Sequence, residues 1–233
     1  MTSPDEVVFL FDVDNTLLDN DRVENDLRRH MEREFGARSR DRYFAILEEL
    51  RAELGYADYL GALQRYRLED LCDPRLLMMS SFLVDYPFAN RLYPGSLDAL
   101  EHVRARGETV ILSDGDVVFQ PRKVDRSGLY EAVEGHALIY VHKEHELADV
   151  EERHPAAHYV MVDDKLRILA AIKKIWRSRV TTVFVRQGHY ALDPKILAAC
   201  PAADLSIERI GALLKCGLQD FAPRAAQVAR GRV

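Results

Sequence analysis

Five short apolar runs, at 7–11, 108–112, 137–141, 158–162 and 180–185, are separated after residue 94 by stretches of helical periodicity. Strands that alternate with helices and show little polar alternation of their own belong to a parallel sheet covered on both faces. This pattern predicts an α/β, Rossmann-like core. The helices of the repeating part are expected near 95–106, 117–127, 144–153, 166–176 and 207–218. Gly107 stands just past the end of the first of them.

Between the first strand and the second the pattern changes. Residues 19–88 show no strand-like run, but four helical stretches are expected at 23–35, 42–54, 59–71 and 74–84. Val23, Leu27, Met31 and Phe35 mark the first, closed by Gly36; Phe44, Leu47, Leu50 and Leu54 mark the second, closed by Gly55. Pro74 suits a first helical turn. The expected organisation is therefore a core of residues 1–18 and 89–233, interrupted by an all-helical insert at 19–88. Residues 222–233, rich in Ala and Arg, are expected to fray.

The apolar runs end on polar groups. Val7 to Leu17 reads VVFLFDVDNTL, with Asp12 and Asp14 on one side of the chain and Val13 directed to the core. The later runs end at Ser113-Asp114, just before Lys143, and at Asp163-Asp164. In a parallel sheet all carboxyl ends lie on one edge, so these groups are expected to converge on one crevice. Like charges so close need a cation or a proton to settle them. Several carboxylates make a hard, oxygen-rich site suited to Mg²⁺. A lysine and a serine hydroxyl suit phosphate oxygens or developing negative charge. A carboxylate beside a metal and a lysine is a possible nucleophile.

With these residues the sequence resembles the haloacid dehalogenase-like (HAD) hydrolase superfamily over nearly its whole length. The first motif of that family, DxDx[TV], matches Asp12-Val13-Asp14-Asn15-Thr16; the second, an apolar strand ending in Ser or Thr, matches VILSDG with Ser113. The third is a lysine, here Lys143, and the fourth an acidic pair, here Asp163-Asp164. The insert resembles the C1-type cap of the family's phosphatases. Many C1-capped phosphatases have a proline after the lysine, whereas this chain has Glu144.

The resemblance implies roles. Asp12 would be the nucleophile that attacks phosphorus, and Asp14 the general acid/base that protonates the leaving alkoxide and then activates water. Thr16 would steady the first motif. Thr16, Ser113, Asp114 and Lys143 form the phosphate-binding side. Mg²⁺ would sit between Asp12, the backbone carbonyl of Asp14, and the acidic pair, with Asp164 the direct ligand and Asp163 a ligand or its support. True dehalogenases resemble this fold but lack an acid at the position of Asp14, because a halide leaves without a proton. The expected activity is hydrolysis of a small phosphorylated metabolite. A phosphomutase, a dehalogenase or a phospho-aspartate switch on similar residues is the alternative.

The net charge of −6, from 32 basic and 38 acidic residues, gives no support to a nucleic-acid or membrane partner. Cys72, Cys200 and Cys216 form no CxxC and fit small apolar filler in a reducing compartment. The acidic start lacks the basic region of a secretory signal, and no apolar run approaches the roughly 20 residues of a membrane span. The expectation is a cytoplasmic monomer or homodimer. His142 and His145 lack an HExxH context and are not read as metal ligands. The arginines of the insert (Arg22, Arg28, Arg29, Arg33, Arg38, Arg40, Arg42) alternate with acids and read as a solvated face from which one or two can reach an anionic substrate. Trp176 reads as a packing residue.

Overall fold

The computed structural model describes residues 5–69 and 75–221. In chain order, β1 (Asp5–Phe11) is followed by four helices, α1 (Asn20–Phe35), α2 (Ala37–Leu54), α3 (Tyr59–Arg67) and α4 (Leu76–Val84). Then come α5 (Ser96–Arg104), β2 (Glu108–Asp114), α6 (Phe119–Arg126), α7 (Leu129–Ala132), β3 (Ala137–Tyr140), α8 (Leu147–Arg153) and β4 (Ala156–Asp163). The chain continues through α9 (Leu166–Trp176), β5 (Val180–Val185), α10 (Gly188–Leu192), α11 (Pro194–Ala199), β6 (Leu205–Ile207) and α12 (Leu218–Phe221). Cys72, the residues expected to end one helix at 71 and begin the next at 74, and the 222–233 tail lie outside the described residues. Among the described residues no helix is long and apolar enough to cross a membrane.

The sheet has the order β3-β2-β1-β4-β5-β6, and every pairing is parallel. The chain starts in the middle, builds outward through β2 and β3, then returns to the other side of β1 for β4 to β6. The direction reverses between β1 and β4, and in such sheets the crevice at the reversal is where ligands bind. Alternation along β1 explains the double cover: Val8 and Leu10 join one buried cluster with Leu112, Met161 and Ile172, while Phe9 and Phe11 join the other with Ile111 and Val162. The second cluster runs on without a break into α1–α4 through Leu17, Val23, Leu27 and Tyr43. Phe9 meets Phe221 edge-on, their ring centroids 5.4 Å apart.

Three helices of the insert are bounded by local signals. Asp19 caps α1 by accepting from the Arg22 N–H at 2.9 Å, and Asp58 caps α3 by accepting from Gly61 N–H at 2.7 Å. Gly55 ends α2 in the left-handed region, φ 83°. Trp176 packs as expected, stacked 4.2 Å from Tyr159.

Two expectations are corrected. Residues 207–218 are not one helix: Leu205–Ile207 forms β6, a 3₁₀ turn follows at Ile210–Lys215, and only Leu218–Phe221 is α-helical. The spacing of Ile207, Ile210 and Leu213 suits a helix, but the open edge of β5 offers unpaired backbone groups, and pairing Val185 with Ile207 satisfies them. The helix expected from 144 begins at Leu147, after a 3₁₀ turn at Lys143–His145. That turn is fixed from outside, because the Asp114 carboxylate accepts the Lys143 backbone N–H at 2.7 Å.

Candidate active site

β1 stops at Phe11 because the next residues turn back on themselves. The N–H groups of Thr16, Leu17 and Leu18 all point to the Val13 carbonyl, at 3.2, 3.0 and 3.0 Å, and Asn15 takes the left-handed region at φ 61°. Asp12 stays tied to the sheet through its N–H to Val162 O, 3.0 Å, while Val13 is buried and Asp14 lines a cavity. The two aspartates of the first motif thus face different surroundings.

Asp12, Asp163 and Lys143 form a buried cluster at the carboxyl ends of β1 and β4. Lys143 Nζ lies 2.6 Å from Asp12 Oδ1 and 2.7 Å from Asp163 Oδ2, and donates to Leu112 O at 3.2 Å. Thr16 Oγ1 donates to the other Asp12 oxygen at 3.3 Å. Burial by itself raises the Asp12 carboxyl, but the charges of Lys143 and Lys165 outweigh it and hold the group below its ordinary range. Burial likewise works against the Lys143 ammonium, yet Asp12, Asp163 and Asp114 around it keep it firmly charged. Asp12 is therefore an ionised carboxylate in a dry setting, the state a nucleophile needs.

The acidic pair divides. Asp163 Oδ1 accepts the Lys165 N–H at 2.8 Å, while its Oδ2 has no hydrogen bond and is met only by the Lys143 charge at 2.7 Å. Asp164 is 1% exposed, and neither of its oxygens has a hydrogen-bond partner. Burial pushes its carboxyl well above the ordinary range, with Lys165 offsetting part of the effect. A buried carboxylate left without hydrogen-bond partners is open to a cation or a proton. Asp12, Asp163 and Asp164 each offer an oxygen within 4.8 Å of the others, a hard donor set that suits a small divalent metal.

Ser113, at the end of β2, is buried and its Oγ accepts from Gln120 Nε2 at 2.9 Å. Asp114 lines the same cavity as Asp14. Its carboxylate is an acceptor that orients the Lys143 backbone, and burial raises its pKa despite nearby Lys143. His142 and His145 stand with their rings 5.5 Å apart, and His142 abuts Gly55, where an added Cβ would come within 2.4 Å of its ring.

Two lysines were not legible as site residues. Lys123 on α6 is fully buried; it donates to Asp14 Oδ1 at 2.6 Å and to Asn20 Oδ1 at 3.0 Å. The available signal was position, since Lys123 falls on the same buried face of α6 as Phe119, Gln120 and Val124. Lys165 follows the acidic pair directly, and its charge is sustained by Asp164, Asp12 and Asp163 against the cost of burial. The seven arginines singled out in the insert do not line the cavity; Arg51 on α2 does. Arg28 instead covers the Phe44 ring at 3.6 Å.

The model of the haloacid dehalogenase-like hydrolase family matches residues 7–175. A haloacid dehalogenase-like hydrolase of Burkholderia xenovorans LB400 is 68% identical and superposes with a TM-score of 0.88, covering 92% of this chain and 100% of that one. The L-2-haloacid dehalogenase of Xanthobacter autotrophicus is 20% identical with a TM-score of 0.60, covering 92% and 99% of the two chains. A HAD-family hydrolase of Bacillus subtilis, solved with magnesium bound, is 16% identical with a TM-score of 0.59, covering 89% and 96%. Comparison with curated proteins gives no match.

Proposed function

The chain belongs to the haloacid dehalogenase-like hydrolase family, and within it we propose a Mg²⁺-dependent phosphatase that hydrolyses a small phosphorylated molecule through an aspartyl-phosphate on Asp12. The observation that carries this reading is Asp14, a carboxylate that lines the cavity next to Asp12 and is held there by Lys123 at 2.6 Å. A carbon–halogen bond leaves a halide that needs no proton, so an acid at this place serves no purpose there. A phosphate ester leaves an alkoxide that does.

Asp12 Oδ attacks phosphorus, the bond from phosphorus to the ester oxygen breaks, and Asp14 supplies the proton that the departing oxygen takes up. Water then attacks the phosphorus of the acyl phosphate, Asp14 accepts its proton, and the Asp12 carboxylate is regenerated. The Lys123 contact fixes where the Asp14 carboxylate stands at the cavity. Lys143 and Ser113 face the transferring group as donors. Asp12 and Asp164, with the backbone carbonyl of Asp14, would hold the cation, while Asp163 fixes Lys143 and the start of the following loop. A bound divalent cation supplies charge to the phosphoryl oxygens. Residues 19–88 act as a cap that closes over the substrate and excludes water, and 1–18 with 89–233 as the catalytic core.

Asp12→Asn tests this reading directly. The wild-type protein with Mg²⁺ is expected to release phosphate from an aryl phosphate ester, and the variant to show no release above the uncatalysed rate. Retained turnover in metal-clean variant protein rules out the covalent mechanism.

A further inference from the structure

A cavity of about 440 Å³ opens beside Asp14, between α2, α3, α6 and the α10–α11 stretch. Asp14, Lys123 and Lys165 line its core side, and Arg51, Glu24 and Tyr59 its helical side. The Arg51 guanidinium is only partly used. Nη1 donates to the Tyr190 hydroxyl at 3.1 Å, whereas Nη2 stands 3.6 Å from Glu48 and 3.9 Å from Glu24, beyond good hydrogen-bond distance. Nε is buried with no partner. Neither glutamate completes it: Glu24 meets Arg28 through Oε1 at 2.7 Å and leaves its Oε2 no nearer than 3.9 Å to Arg51, and the Glu48 side chain is 56% exposed and screened by water.

Leaving a guanidinium N–H buried and unbonded is costly, so the arrangement calls for an acceptor. The unused Nε–Nη2 edge is a planar fork, which matches the two oxygens of a carboxylate. Tyr190 also sets the scale. Lys165 Nζ lies 5.8 Å from its ring centroid, and its hydroxyl meets Arg51. One tyrosine side chain therefore spans from the lysine of the carboxylate cluster to Arg51. Ala57, Tyr59 and Phe119 line the space with apolar surface suited to a few methylenes.

We infer that Arg51 selects the substrate, a short phosphomonoester of about three carbons whose far end is a carboxylate that docks on the Nε–Nη2 edge. The inference rests on the phosphatase reading for its phosphoryl end, but the carboxylate contact is measurable without turnover. The probes are two non-hydrolysable phosphonates of equal length, 3-phosphonopropanoate and propylphosphonate, titrated by calorimetry with Mg²⁺ present. A charge-assisted bidentate contact should make the wild-type protein bind the carboxylate-bearing probe about 30-fold tighter. Arg51→Gln should bring that ratio to about 1, and Arg51→Lys, which keeps the charge but not the fork, should leave a ratio between the two. Circular dichroism of both variants checks that they are folded, and the lysine variant carries the test if the glutamine variant is not.

Equal wild-type affinities, or a 30-fold preference that survives Arg51→Lys unchanged, overturn the inference. The two readings also fail separately. Phosphate release from propyl phosphate with no carboxylate preference in binding leaves the phosphatase standing without the Arg51 role. A carboxylate preference lost in Arg51→Gln, with no phosphate ester hydrolysed, upholds the Arg51 contact and removes the phosphatase.

Discussion

Replacing Asp164 by asparagine removes a charge that the fold buries without giving it a hydrogen bond. Asp164 is 1% exposed, both its oxygens lack partners, and burial drives its carboxyl well above the ordinary range even with Lys165 beside it. A carboxylate buried without hydrogen bonds costs more than a neutral amide in the same place, because it must either be desolvated as a charge or take up a proton, a difference of about 1–2 kcal/mol. Asparagine has nearly the same shape and no charge to desolvate, and Lys165 keeps Asp12, Asp163 and Asp14 as counter-charges. In chelator-treated protein Asp164→Asn should therefore be more stable than wild type by about 1–2 kcal/mol. For a domain of this size that is a rise in Tm of about 3–6 °C. Magnesium should reverse the order: a cation at a hundred times its Kd adds about 2.7 kcal/mol to the protein that binds it, and the variant has lost a ligand charge. The assay is thermal unfolding at pH 7 followed by circular dichroism, with chelator and then with Mg²⁺. A variant less stable than wild type in chelator, or one stabilised by Mg²⁺ as strongly as wild type, refutes the reasoning.

Two further substitutions probe the frame around the site. An added Cβ at Gly107, ahead of β2, would lie 2.2 Å from the Val7 carbonyl oxygen, which is backbone and cannot step aside; Gly107→Ala should cost about 2–3 kcal/mol in urea unfolding, and a loss under 0.5 kcal/mol would contradict the packing described. Asp26 on α1 fastens that helix to the returning chain: burial raises its carboxyl, but hydrogen bonds from Tyr86, Arg91 and Arg29 outweigh it and bring the pKa from 3.8 to about 2. A carboxyl depressed on folding contributes stability above its unfolded pKa and loses it as pH falls through the folded one. The gap between wild type and Asp26→Asn, about 1–2 kcal/mol at pH 7 after allowance for solvent screening, should thus close between about pH 4 and pH 2. A gap that stays constant over that window would be the contrary result.

Much of the fold was legible because burial on both faces leaves a plain mark on a strand. β5 and α9 fall where the sequence places them, at Val180–Val185 and Leu166–Trp176. β6 was not legible: three residues at a sheet edge take their conformation from the neighbouring strand, and their own spacing favours a helix. At the site, groups adjacent to strand ends could be read, because sheet topology alone brings Asp12, Ser113, Lys143 and Asp164 to one edge. Lys123, Lys165 and Arg51 could not, since a lysine or arginine on a helix or loop ordinarily faces water. Only the packed fold turns Lys123 toward Asp14. The contacts that set Asp163 apart from Asp164 were equally hidden, because the Lys165 N–H and the Lys143 ammonium reach Asp163 only in the packed fold.

Oxygen-18 water tests the central claim most directly, because the two chemistries open to Asp12 take water at different atoms. Under single-turnover conditions with Mg²⁺ and a phosphate monoester, attack at phosphorus should place the label in the released phosphate and leave the Asp12 carboxylate unlabelled by mass spectrometry of its peptide. The same protein given a 2-chloro acid should release no chloride. Chloride release accompanied by label in the Asp12 carboxylate, with no phosphate freed from the ester, would contradict the account.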